Sequence, residues 1–173
     1  MTRDISDSHA LSRLFQGITE STFMTELGIG DPRLVDYVAD LLARFVASQS
    51  VWRLRDGFGQ RLTEVSAMLA LAESSSNRDE RRDCYRHVGD YTLFWTGVYP
   101  EALAKFKTLA PADHWIDYQS QGKKSYYLAS LLDAEQASTL KRLSDQFELC
   151  AFGLSRVRKE WESLANPPTK PPS

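Results

Sequence analysis

Apolar residues recur along this chain at spacings of three and four, with no stretch of strict alternation worth reading as a strand. That periodicity predicts helix after helix and no sheet. Ser8 is placed to cap a first helix with Leu11, Leu14, Phe15, Ile18 and Phe23 at helical spacing, and Gly28 to end it. Asp31-Pro32 marks a second start, an N-cap followed by a proline at the first helical position. Leu34, Val35, Val38, Leu41, Leu42, Phe45 and Val46 form its broad stripe, which runs to about Gln49. Residues 50–59 break the period with two glycines and read as a loop, with Trp52, Leu54 and Phe58 tucked against the core. A third helix over about 60–74 turns Leu62, Val65, Met68, Leu69 and Leu71 inward.

Asn77 is placed to cap a fourth helix over 78–98. Its first half, RDERRD, is charged, and its second, VGDYTLFWTGV, is largely apolar. Such a split predicts one end in solvent and one in the centre of a bundle. Pro100 marks a kink or new start, followed by a short helix over about 100–107. Asp113 is the expected cap of a helix over about 114–131, and Asp133 of a last helix reaching about Leu164. In that last helix Phe147, Leu154 and Trp161 repeat every seven residues. It suits the spine of the bundle, or offers a surplus face to a second copy of the chain. The expected fold is all-α: a single-domain bundle of six or seven helices over residues 1–165, with a disordered Pro-rich tail over 166–173.

Composition narrows the function more by exclusion than by assignment. The 21 basic and 23 acidic residues nearly balance, so no global field draws the chain to nucleic acid or anionic lipid, and nucleic acid is disfavoured as a partner. No apolar run approaches the ~18 residues of a membrane span. The polar opening residues lack the apolar core of a signal peptide, so the cytoplasm is the expected location. Cys84 and Cys150 fall inside apolar helical patterns and read as reduced core residues.

Candidate chemistry concentrates in residues 82–101, RDCYRHVGDYTLFWTGVYPE. Asp90 lies where the helix is otherwise apolar, and a buried carboxylate has to be paired, hydrogen-bonded or protonated. Its expected partners are Arg86, Arg53, Arg55, or the hydroxyls of Tyr118, Tyr126 and Tyr127. Tyr91, Phe94, Trp95, Tyr99, Trp115, Tyr118, Tyr126 and Tyr127 crowd into 37 residues, with Gly89, Gly97 and Gly122 inside helices. The candidate ligand-binding set is therefore Asp90, Arg86, Trp95, Tyr118 and Tyr126, as an aromatic cleft with Asp90 at its floor. Asp83, His87 and Asp90, at i, i+4 and i+7, share a face, but three ligands without a Glu-x-x-His are too few for a di-metal centre. No metal or cofactor is expected.

Arg82-x-x-x-x-His87, with Asp83 after the arginine, resembles the short motif of HEPN-type helical ribonucleases. That resemblance implies metal-independent RNA cleavage, with His87 as general acid or base and Arg82 on the phosphate. The two positions stand ~140° apart on a helix, so they do not share a face without a bend or a second chain.

A broader resemblance rests on Arg86, Gly89, Asp90, Leu93, Phe94, Gly97 and the following Tyr99-Pro100-Glu101, then Asp117, Tyr118, Gly122 and Tyr126. Together with Asp31-Pro32 and Trp52-Arg53-Leu54-Arg55-Asp56, this pattern looks like a group of bacterial all-helical proteins with no assigned activity. It covers most of residues 10–165, omits His87, and implies a bacterial cytoplasmic protein. The leading expectation is a non-catalytic binding or interaction module for a protein or small ligand, with homodimerisation as a further expectation. The HEPN-like ribonuclease using Arg82 and His87 is the alternative.

Overall fold

A computed structural model describes residues 2–46, 64–103, 113 and 115–166, and side chains from residue 9 onward. The described residues form helices and connections, with no strand among them. Helix α1 spans Thr2–Ser21 and continues into a π-helical turn, Thr22–Glu26. It begins ahead of Ser8, the expected cap. Phe15, Ile18 and Phe23 are buried, whereas Leu14 is exposed. Gly28 ends the segment at φ +68°, a left-handed conformation that costs glycine nothing.

Helix α2, Pro32–Val46, starts where Asp31-Pro32 marks it. The Asp31 carboxylate accepts from the amides of Arg33 at 3.0 Å and Leu34 at 3.4 Å. The side chain of Arg142 adds an ion pair at 2.6 Å, which helps hold the Asp31 carboxyl below its ordinary range. Leu34, Val35, Val38, Leu41, Leu42 and Phe45 are buried as the stripe requires.

The loop over 50–59 and residue Leu62 lie outside the described residues. Helix α3 covers Val65–Ser74, and its preceding residue, Glu64, makes no side-chain cap. The cap comes from across the chain. Asp113 is fully buried, and its carboxylate accepts from the amide of Val65 at 2.8 Å and that of Ser66 at 3.0 Å. The Tyr118 hydroxyl donates to the same carboxylate at 2.9 Å. Asp113 therefore does not start the helix that follows it. That helix, α5 (Tyr118–Leu132), is capped by Asp117, which accepts from the Ser120 amide at 3.2 Å.

Helix α4, Arg78–Val98, occupies the centre. The side chain of Asn77 accepts from the amides of Asp79 and Glu80 at 2.9 and 3.1 Å, and those two carboxylates favour the positive helix end. The charged first turns face solvent. From Cys84 on, Tyr85, His87 to Phe94, Gly97 and Val98 are buried against α2, α3, α5 and the last helix. At the far end the Arg158 guanidinium donates to the Val98 carbonyl at 2.7 Å and lies 4.5 Å from the Tyr99 ring centre. A cation placed there satisfies the negative end of α4.

The last helix of the sequence reading is two helices. Asp133 accepts from the amides of Glu135 and Gln136, both at 2.9 Å, and so organises a turn. Helix α6 follows over Ala137–Asp145, and α7 over Phe147–Ala165. Gln146, at φ −111° and ψ 26°, separates them. The seven-residue repeat survives inside α7. Phe147 and Leu154 are fully buried, and Trp161 stands edge-on to Phe15 at 5.1 Å. Leu149, Phe152 and Leu164 remain exposed on the same helix. The described part of the segment after Pro100 is helical to Leu103, and residues 167–173 of the expected tail are not described.

Asp113→Ala leaves two amides and a phenol without their acceptor, at a cost of about 2–4 kcal/mol. Urea unfolding is expected to show that loss. Hydrogen exchange at Val65–Met68 should accelerate beyond what the global loss explains. Unchanged protection there would refute the capping role.

Candidate functional site

Asp90 is buried, 2% exposed, at the middle of α4. Two phenols solvate it. The Tyr126 hydroxyl of α5 and the Tyr37 hydroxyl of α2 both donate to Oδ1 at 2.7 Å. Arg44 of α2 donates to Oδ2 at 3.4 Å while holding Asp40 at 2.8 Å through Nε. Three helices thus meet at one carboxylate.

The local sequence explains how this is built. Gly89 precedes Asp90, and the Tyr126 ring lies flat against it: a Cβ at Gly89 would stand 2.6 Å from that ring. Glycine is required there for the ring to pass and its hydroxyl to reach Asp90. Gly122, one turn before Tyr126, lets α5 close onto Thr92 and Phe147. Tyr37 and Tyr126 meet edge-on at 6.4 Å.

Burial pushes the Asp90 carboxyl above its ordinary value, opposed first by Arg44, then by the two hydroxyls, then by Arg86. Burial, reinforced by Asp90, holds the phenols of Tyr37 and Tyr126 well above 10.0, so both remain donors at neutral pH. Burial works against the charge on Arg44, but Asp90 and Asp40 outweigh it and leave the guanidinium with a raised affinity for its proton.

Above Asp90 opens a cleft of about 660 Å³, lined by Arg33, Asp36, Tyr37, Asp40 and Arg44 of α2, Arg86 of α4, and Glu135, Gln136 and Thr139 at the start of α6. Its walls are charged rather than aromatic. Of the expected partners of Asp90, Tyr126 is bonded to it and Arg86 acts on it through its charge alone, while Tyr37 and Arg44 supply the other bonds. Of the expected ligand-binding set, Arg86 lines the cleft and Asp90 and Tyr126 lie behind it. Tyr118 instead serves Asp113. Trp95 sits in an aromatic ladder with Tyr91, Phe94 and Tyr99, at centroid distances of 5.2–6.3 Å. Neither residue lines the cleft. Tyr127 is exposed, and Arg53 and Arg55 lie outside the described residues. Sequence reasoning missed Tyr37 and Arg44. Their signal was a polar edge on α2, with Tyr37, Asp40 and Arg44 at i, i+3 and i+7.

Arg82 and His87 have different surroundings. The Arg82 guanidinium bonds Asp83 at 3.1 Å and Asp79 at 3.4 Å, and stands 4.0 Å from Asp133. His87 is 3% exposed and stacks on Phe45 at 6.1 Å. No group of three His, Cys, Asp or Glu among the described residues, Asp83, His87 and Asp90 included, is placed to hold a metal ion. Nor is any described helix long and apolar enough to cross a membrane. Both cysteines are free and buried, which pushes the thiol of Cys84 up to about 11 and that of Cys150 up to about 12.

Asp90→Ala strands two phenols and a guanidinium, and is expected to cost about 2–4 kcal/mol in urea unfolding. Asp90→Asn keeps an acceptor for both hydroxyls and should lose less than half as much. Because the folded carboxyl titrates above its unfolded value, its ionisation works against folding as pH rises from about 4. Asp90→Asn should therefore gain on the wild type with rising pH. A difference independent of pH would contradict this.

A second pH effect lies at the alkaline end. Burial raises the phenols of Tyr37, Tyr91, Tyr118 and Tyr126 and the two thiols, so the folded chain keeps protons that the unfolded chain releases above about pH 9. Stability should fall from there upward by about 1.4 kcal/mol per pH unit for each proton retained. Phenolate absorbance at 295 nm should rise with unfolding rather than before it.

No protein-family model, no curated protein and no solved structure matches this chain.

Proposed function

We propose that this chain is a non-catalytic binding module whose ligand enters the charged cleft between α2, α4 and the start of α6. The observation that carries this reading is the support beneath the cleft. A buried carboxylate, two phenols and a close glycine hold three helices in fixed register directly under an open polar cavity. Binding sites need such rigid backing, and a cavity of this size falls in the range of small-molecule and cofactor sites. Arg44 belongs to both parts, since it reaches Asp90 below and lines the cleft above. The residues that come together here, Arg86, Gly89, Asp90, Gly122 and Tyr126, are also those of the R-x-x-G-D and G-x-x-x-Y pattern.

The ribonuclease alternative needs Arg82 and His87 presented together to a phosphate. A guanidinium among three carboxylates and an imidazole 3% exposed give it no support.

The test is amide chemical-shift mapping with pooled small polar fragments of anionic, cationic, zwitterionic and neutral types. Shifts are expected to cluster on residues 33–44, 86 and 135–139. They should vanish in Gln136→Trp, which fills the cleft from an exposed position. Shifts scattered over the surface, or unchanged by Gln136→Trp, would remove the cleft as the binding site.

A further inference from the structure

We propose that the cleft takes a small zwitterion, carrying an ammonium and a carboxylate on one molecule, and that a short unblocked peptide fills it best. This rests on the cleft being the binding site. Its walls carry three guanidiniums, Arg33, Arg44 and Arg86, against three carboxylates, Asp36, Asp40 and Glu135. A polyanion would meet the three acids, and a polycation the three arginines. An apolar ligand would leave these charges desolvated without partners. A dipolar ligand is the class that satisfies both signs.

Two of the three arginines also lie deeper than the acids, whereas Arg33 is exposed among them. Arg44 and Arg86 are the inner pair, with side chains 29% and 24% exposed, and both feel the Asp90 field behind them. Arg44 commits Nε to Asp40 and Nη2 weakly to Asp90, which leaves Nη1 to donate. Among the described residues Arg86 has only a 3.7 Å contact, with Asp83. These two present donors to an incoming carboxylate in the forked geometry that arginine supplies.

Exposed acids stand at the mouth. Glu135 makes no ion pair among the described residues, and Asp36 accepts only from the amide of Gln16, at 2.8 Å. Neither carboxylate makes an ion pair among the described residues, so both can accept from an ammonium, with the exposed Arg33 lining the same cleft. The cavity of about 660 Å³ has more room than a single amino acid fills, which favours the peptide.

The experiment is calorimetric titration of the wild type, with shift mapping, using trialanine, free alanine, N-acetyl-trialanine, trialanine amide and the doubly blocked peptide. Trialanine is expected to bind in the cleft, with free alanine at least tenfold weaker. Each single block should weaken trialanine at least tenfold. Glu135→Gln should abolish the discrimination against N-acetylation, and Arg86→Gln that against the amide. Arg33→Gln, at an exposed position without an ion pair among the described residues, provides a second cationic variant should Arg86→Gln fail to fold, with a smaller loss of the same kind.

Equal binding of free and doubly blocked peptides overturns the proposal. Stronger binding of alanine than of trialanine overturns the peptide assignment and leaves the amino acid as ligand. Binding of other fragments in the cleft without any zwitterion overturns the ligand class and leaves the site standing. Silence of the cleft toward every fragment overturns both.

Discussion

A carboxylate in the middle of a buried helix has to be solvated by the protein itself. At Asp90 that requirement organises the molecule. Two phenols must arrive at Oδ1 from different helices, so α2 and α5 are fixed to α4 in rotation as well as in distance. The approach of Tyr126 demands a bare backbone at Gly89, and the approach of α5 demands another at Gly122. Hydrophobic burial drives these helices together, but it is tolerant of small slips. Hydrogen bonds of 2.7 Å to one oxygen are not, and they select a single register.

The second buried carboxylate, Asp113, has a different role under the same physics. It replaces the cap that α3 lacks, accepting from two amides and from Tyr118. Neither acid belongs to a metal-binding group of three His, Cys, Asp or Glu among the described residues. Asp90 lies beneath a cleft, reached through Arg44. The contrast separates a carboxylate that finishes a helix from one that backs a surface.

Local signals in the chain were strong where a single element decided them. Asn77, Asp31-Pro32 and Gly28 each act within a few residues, and the boundaries of α4 and the start of α2 follow from them. The buried state of Asp90 was legible because the helix from Val88 onward is otherwise largely apolar. Its partners were harder to read. Tyr126 was available from sequence, whereas Tyr37 and Arg44 depend on how α2 rotates against α4. Asp113 looked like a cap for its own successor, because sequence shows proximity along the chain and not across it. The break at Gln146 carries no proline or glycine, so the long apolar repeat concealed it. The aromatic density of 91–99 signalled packing, and the cleft formed instead where polar edges of three helices converge.

The cap on α3 has a consequence for the order of assembly. Ten residues are too few for a helix to persist alone in water, where about 12–15 are already marginal. Here the group that closes its first turn lies 48 residues downstream of Val65. During synthesis α3 therefore has no completed N-terminus until Asp113 has left the ribosome. The N-terminus of α3 is thus completed by tertiary contact alone, in the same step that brings Asp113 to it.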